Sequence, residues 1–302
     1  MSDSLNPSFS SEAEFPDLRP DVLRRALMAP RGPIPRLEIV DEVGSTQSEL
    51  ITAVREAPDE WPDMSVIAAN RQTEGRGRAG RDWQTPKRGA ITASIVLRPK
   101  DIDVMRWSWI PLLAGVAAVR AVRKVARLPE TGLKWPNDVV IDVPDASEVD
   151  GWGTWRKLGG VLVEIVPDPA GGRIPLGAVV GVGINVAQTA EELPVPWAGS
   201  LATVGAPDVD PSVLLTSVLR SMTRRHLLWG EQGGSMNGSG LAALVRDACV
   251  TLGQEITVDL PSGEQLRGYA YGLDMAGHLV VRTDSGDMRT IIAGDVRNVR
   301  GV

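Results

Sequence analysis

The densest chemistry in the chain lies between Gln72 and Trp83, where QTEGRGRAGRDW sets Arg76, Arg78 and Arg81 among Gly75, Gly77 and Gly80. Glycines let backbone amides approach an anion closely, and guanidinium forks grip carboxylates and phosphates, so this run can converge several donors on one anionic ligand. From Arg71 to Arg88 there are six basic and two acidic side chains. Composition alone would also allow a solvated basic loop or an RGG-like nucleic-acid contact. Trp83 closes the run with a flat surface suited to stacking on a purine or to burial in a core. Two better-known nucleotide devices are absent. No GxxxxGK[ST] loop occurs, and Gly181-Val182-Gly183 continues as Ile-Asn-Val without the third glycine of a dinucleotide fingerprint.

Three further clusters fall at expected strand ends: Lys134-Trp135-Pro136-Asn137-Asp138, Lys157-Leu158-Gly159-Gly160, and Gly181 through Asn185. Each alone has an ordinary structural reading, as a solvated lysine, a close-packing glycine pair or a turn asparagine. The whole chain narrows the chemistry further. Over 302 residues, 38 acidic groups against 32 basic ones leave a net charge of −6, which argues against a whole-surface grip on nucleic acid. Cys249 is the lone cysteine, and His226 and His278 are the two histidines. That excludes an intrachain disulfide and a cysteine zinc cage, leaves metal chemistry to carboxylates, and assigns no metal ligands. The apolar runs Ile110 to Val119 and Leu176 to Ala187 are shorter than the roughly 20 residues of a membrane span. The first fifteen residues lack the basic start and apolar stretch of a secretion signal, so a cytoplasmic location is expected.

These clusters must be held by a scaffold whose elements are legible in the hydrophobic pattern. RLEIVDEV from Arg36, MSVIAANRQ and ITASIVLRP predict strands, with a helix over Ser48 to Ala57 and a long loop before ITASIVLRP. Trp107 to Leu128 predicts one long helix with basic residues in its last turns, ended by Pro129. A short strand at Gly132 to Trp135 and the strand VVIDV come next. The polar stretch Pro144 to Arg156 then leads into KLGGVLVEIV, whose hairpin partner is PLGAVVGVGINV. Helices follow over Pro211 to Gly230 and Leu241 to Leu252, joined by a Gly/Ser-rich link at Gln232 to Gly240. From Gly253 onward short alternating strands with turns about every ten residues predict a small SH3-like barrel. The expected domains are a flexible tail over residues 1–35 with one short helix at Asp21 to Met28, a catalytic domain over 36–247, and the β-domain over 248–302.

GSTQSEL, QTEGRGRAGRDW, LKWPNDVV, KLGGVLVE and VVGVGINV, in this order, resemble the signature segments of biotin protein ligases, the form without an N-terminal DNA-binding domain. The resemblance runs from about Arg36 to Val186, and its words GRGRxGRxW and KWPND are specific. It implies an α+β fold: a mixed, largely antiparallel sheet with flanking helices, like class II synthetases, plus the small SH3-like barrel. It further implies that ATP activates biotin as biotinyl-5′-AMP, with Mg²⁺ on the phosphates, and that biotin then passes to a lysine of a carboxylase's biotin carboxyl carrier domain. By motif, Ser45, Thr46, Gln47, Gln72, Gly75, Arg76, Gly77, Arg78, Lys157, Gly160 and Gly181 would bind biotin. Gln47 stands where the family usually has Asn. Arg78, Arg81, Trp83, Lys134, Asn137, Asn185 and Arg300 would serve ATP, and Lys157, Arg76, Arg78, Lys134 and Asp138 would carry catalysis, Asp138 as proton acceptor for the carrier lysine. The stretch between KWPND and KLGG is longer than the family usually shows and predicts an enlarged hairpin.

Two other functions share some of these features. A lipoate-type ligase would use the same acyl-adenylating chemistry, and a biotin-responsive DNA-binding regulator would need a recognition helix that the Ser/Pro-rich start does not offer. The expectation is therefore a ligase with no specific DNA partner and no membrane partner, acting as a monomer or weak homodimer.

Overall fold

The computed structural model describes residues 17–84 and 89–298. Seven strands form one mixed sheet: β1 Leu37–Val43, β2 Val66–Gln72, β3 Ala90–Leu97, β4 Thr131–Lys134, β5 Asp138–Asp142, β6 Trp155–Val166 and β7 Gly177–Asn185. Their spatial order is β1-β2-β3-β7-β6-β5-β4. Only β1 and β2 run parallel, joined by helix α2, Thr46–Glu56, and every other neighbouring pair is antiparallel.

The period-two alternation of the strands sorts this sheet into two faces. Ile91, Ala93 and Ile95 of β3, with Val180, Val182 and Ile184 of β7, face the main core under helix α3, Ile110–Val125. On the opposite face α2 lays Leu50 and Val54 against Ile67, Val96 and Val179. It packs on one end of β2, β3, β7 and β6, leaving the neighbouring part of that face open to solvent and ligand.

Two helical expectations are corrected in detail. Trp107 to Leu128 is not one helix but a 3₁₀ segment, Val104–Trp109, followed by α3 with proline in its first turn. The Gln232 to Gly240 link is a chain of hydrogen-bonded turns: Arg106 donates to Gly233 O, and Met236 packs against the core. It joins α4, Pro211–Glu231, to α5, Leu241–Ala248; Asp210 caps α4 by accepting from Ser212 N and Val213 N.

Residues 17–35, expected as flexible tail, are bound to the core. Helix α1, Pro20–Leu27, buries Leu23 and Leu27 completely, and Leu18 and Ile34 flank them in the same cluster. Its ends are tied as well, by Arg19 N to Ser212 Oγ and by Arg220 to Ala26 O. Burial of these four leucine and isoleucine side chains contributes about 6–12 kcal/mol toward ordering the segment.

The C-terminal part is a five-stranded antiparallel sheet of β8 Glu255–Asp259, β9 Gln265–Leu273, β10 Leu279–Thr283, β11 Met288–Ile291 and β12 Asp295–Asn298, in the order β11-β10-β9-β8-β12. It docks through the turn between β9 and β10. Trp109 Nε1 donates to Met275 O, Trp135 Nε1 to Gly277 O and Ser108 Oγ to Ala276 O. One hydrophobic cluster runs through both parts of the chain.

Candidate active site

The open face of the large sheet is chemically graded by strand register. Thr92 of β3 pairs with Gly183 of β7, Gly183 with Gly160 of β6, Gly160 with Asp138 of β5, and Asp138 with Lys134 of β4. These five residues form one rung about 19 Å long at the usual strand spacing. Two residues away on the same face, Ser94 pairs with Gly181 and Gly181 with Leu162. The middle of the face is thus floored by glycines, and a cleft of about 730 Å³ opens above it, within the size range of cofactor sites.

Gly183 shows why the floor must be bare. A Cβ there would lie 2.7–2.9 Å from the indole of Trp83. The Trp83 Nε1–H is buried with no hydrogen-bond partner among the described residues.

The β3 end of the cleft is a neutral hydrogen-bonding network. Ser45 caps α2. Gln72 Oε1 accepts from Thr46 N at 2.8 Å and Thr46 Oγ1 at 3.0 Å, and Thr46 Oγ1 meets Ser94 Oγ at 2.9 Å. Gln47 reaches across to donate to Val179 O at 3.0 Å and accepts from Ser94 Oγ at 3.2 Å. All of these side chains are buried, so their geometry is set before any ligand arrives.

The arginine loop lies along the cleft on three side-chain anchors. Arg76 donates to Glu164 at 2.9 Å, Arg78 to Asn137 Oδ1 at 2.9 Å, and Arg81 to both oxygens of Asp295 in β12. Within the loop, Gly77 N donates to Arg81 O and Trp83 N to Gly75 O. Ala79 and Gly80 take positive φ values of 54° and 72°, a tight turn that a β-branched residue would strain. Gly75 is not among the residues lining the cleft. Its glycine is required by the loop's own packing, since a Cβ would sit 2.2 Å from Trp83 O.

The β4 end is cationic. Lys157 Nζ pairs with Asp138 Oδ1 at 2.6 Å. Lys134 is 5% exposed, and its ammonium lies 3.5 Å from the centroid of the Trp152 indole. Burial pulls its pKa down to about 8, opposed by Asp138. Asn137 donates to Val161 O and so fixes the turn after Lys134. Asn185 donates to Gly199 O and accepts from Gln188, fastening the segment that carries Trp197 over the site.

Every residue to which the sequence resemblance gives a binding or catalytic role lines this cleft except Gly75 and Arg300; Arg300 lies outside the described residues. The structure adds Ser94, Asp150, Trp152, Trp197 and Asp295 to the lining, none of which the motifs pointed to. An indole in a Gly- and Asp-rich loop, outside any core period, was the available signal for Trp152. Among the described residues no group of three or more Asp, Glu, His or Cys forms a metal cage, and no helix is long and apolar enough to cross a membrane.

Known proteins share this architecture. A model of the Biotin/lipoate A/B protein ligase family matches residues 43–185, and one of the Biotin protein ligase C terminal domain matches residues 251–297. The biotin–[acetyl-CoA-carboxylase] ligase of Mycobacterium tuberculosis is 34% identical over 268 residues, covering 88% of this chain and 90% of that protein. The bifunctional ligase/repressor BirA of Bacillus subtilis is 27% identical over 259 residues, covering 85% of this chain and 72% of that protein. Among solved structures, the biotin protein ligase of Aquifex aeolicus in complex with biotin and ATP superposes with a TM-score of 0.68 at 26% identity, covering 88% of this chain and all of that one.

Proposed function

Because the chain belongs to the biotin protein ligase family, we propose how its cleft carries out the ligation. The protein is an ATP-dependent biotin protein ligase with biotin and ATP as substrates. The observation that supports our assignment of roles is the gradient along one cleft, from a buried neutral network at Ser45, Thr46, Gln47 and Gln72 to the cations Arg78, Lys157 and Lys134.

Biotin lies with its ureido ring toward that neutral network and with Gly160 and Gly181 as its wall; its carboxylate points to Lys157. Arg76 and Gly77 close over it. ATP takes the other end, its adenine between Trp83 and Asn185 and its phosphates within reach of Arg78, Arg81, Lys134 and Asn137. The biotin carboxylate, ionised at neutral pH, needs no general base. One carboxylate oxygen forms a bond to the α-phosphorus, the bond from that phosphorus to the β-bridging oxygen breaks, and pyrophosphate leaves with the electron pair. The barrier is the approach of one anion to another, and fixed cations lower it most effectively where water is excluded. This accounts for an arginine- and lysine-lined site with no histidine in its lining.

In the second step a carrier lysine attacks the anhydride carbonyl and AMP departs. Asp138, 2.6 Å from Lys157 Nζ, takes the amine's proton. Mg²⁺ is expected with ATP, where it would shield the phosphates. Such an ion needs only one or two protein carboxylates, and Asp138, Asp150 and Asp295 border the cleft.

Family members act on biotin carboxyl carrier domains of carboxylases, and we infer the same acceptor here, in the cytoplasm, with the protein acting as a monomer or weak homodimer without a DNA operator. We also read the C-terminal sheet as an SH3-like barrel that brings β12 against the arginine loop. A transfer assay with labelled biotin and labelled lipoate, each offered with a biotin carboxyl carrier domain, tests the substrate: label from biotin alone is expected, and equal transfer of lipoate would overturn the assignment.

A further inference from the structure

The hairpin between β5 and β6 brings a residue to the cleft that no motif accounts for. Its tip is a compact turn in which Val149 N donates to Gly153 O and both Trp152 N and Gly153 N donate to Val149 O. Gly151 and Gly153, on either side of Trp152, take positive φ values of 69° and 57°. The two glycines fold the tip back so that Trp152 is presented sideways on a short rigid base. A Cβ on Gly151 would already touch the Arg297 stem at 3.1 Å, so the tip also rests on β12.

Two contacts hold the Trp152 ring. On one side it stacks on Trp197 with centroids 6.0 Å apart and planes 7° from parallel. The Lys134 ammonium sits 3.5 Å from its centroid. Trp197 is itself anchored, since its carbonyl accepts from Lys157 N at 2.7 Å. Among the described residues Lys134 has no carboxylate within ion-pairing distance, whereas Lys157 has Asp138. The indole face is therefore the closest charge-complementary partner of the most buried lysine in the cleft. A ring quadrupole attracts a cation without neutralising it, and the attraction grows as water is excluded.

Resting on the ligase reading above, we propose that Trp152 is a positioning residue for the nucleotide: its ring face holds the Lys134 ammonium dry, charged and aimed into the cleft where the ATP phosphates bind. A carboxylate in the same place would fix the lysine equally well but would repel the triphosphate. A loop without an aromatic ring would leave the ammonium mobile and hydrated. Because Lys134 touches the phosphates before and during the reaction, loss of the ring weakens ATP binding more than it slows turnover.

The test is biotin-dependent ATP–pyrophosphate exchange by the full chain and by Trp152→Phe, Trp152→Leu and Trp152→Ala, with biotin affinity measured on each by calorimetry. Leucine keeps bulk without a quadrupole, so packing and cation binding are separated. We expect KM for ATP to rise about tenfold in the Leu and Ala variants, with kcat within about threefold. The Phe variant should stay close to the parent, and biotin affinity should be unchanged in all three. A parental KM in the Leu variant, an equal rise in the Phe variant, or a parallel loss of biotin affinity would overturn the proposal. A parent chain with no biotin-dependent exchange would instead sink the ligase reading, and this inference with it.

Discussion

Lys157→Ala removes the cation that the account sets at the reacting carboxylate and α-phosphate, and its effect can be sized from the site. A unit charge about 4 Å from another contributes about 4 kcal/mol at an effective dielectric near 20. Loss of one preorganised donor to a developing oxyanion costs about 2.7–4 kcal/mol. Both figures predict adenylation slowed by about 10²- to 10³-fold. The structure adds a second consequence, because Lys157 is paired to Asp138 at 2.6 Å with both side chains mostly shielded from water. Without the lysine, Asp138 is left as an anion without its ion-pair partner in the path of the triphosphate. Asp138→Asn added to Lys157→Ala should therefore recover about tenfold of the lost exchange rate, although Asp138→Asn alone slows transfer to the carrier. The assay is pyrophosphate exchange for the first step and single-turnover transfer from preformed biotinyl-5′-AMP for the second. A Lys157→Ala enzyme within about threefold of the parent would move the catalytic assignment to Lys134. A double variant slower than Lys157→Ala would refute the counter-charge reasoning.

Arg76→Gly releases the loop from Glu164 and Ser48, so biotinyl-5′-AMP should escape faster while it is still formed; less released adenylate than from the parent, measured after rapid filtration, would contradict this. Gly183→Ala forces a Cβ within 2.7–2.9 Å of the Trp83 ring. It should raise KM for ATP and lower folding stability by about 1–3 kcal/mol, read by exchange kinetics and calorimetry. Burial holds the Lys134 pKa at about 8, so the cationic fraction of the free enzyme falls as pH rises through that value. KM for ATP should climb above about pH 8, well before a solvated lysine near 10.4 would lose its proton, and a flat profile to pH 9.5 would count against it.

The scaffold was legible where local pattern and tertiary demand agree. The β6 and β7 strands announce themselves as Val- and Gly-rich runs because β7 is covered on one face and floors a cleft on the other. The motifs likewise drew the right strand ends together, since register in an antiparallel sheet carries Thr92, Gly183, Gly160, Asp138 and Lys134 onto one rung. What escaped depends on contacts between distant segments. The burial of α1 rests on α4, nearly two hundred residues away, and its Ser/Pro-rich surroundings hid two leucines four positions apart. Lys134 was visible as a cation, but its dryness comes from Trp152 in a loop with no periodicity. The docking of β12 through Asp295 to Arg81 joins positions 214 apart in the chain, where spacing carries no information.

The most direct test of the account is exchange of labelled pyrophosphate into ATP by the purified chain, with and without biotin. The cleft is built to join the biotin carboxylate to the α-phosphate before any carrier is present, so exchange should appear with biotin alone, vanish when biotin is omitted and fall about 10²- to 10³-fold when Lys157 is replaced by alanine. Exchange that proceeds without biotin, or none with it, would contradict the central claim.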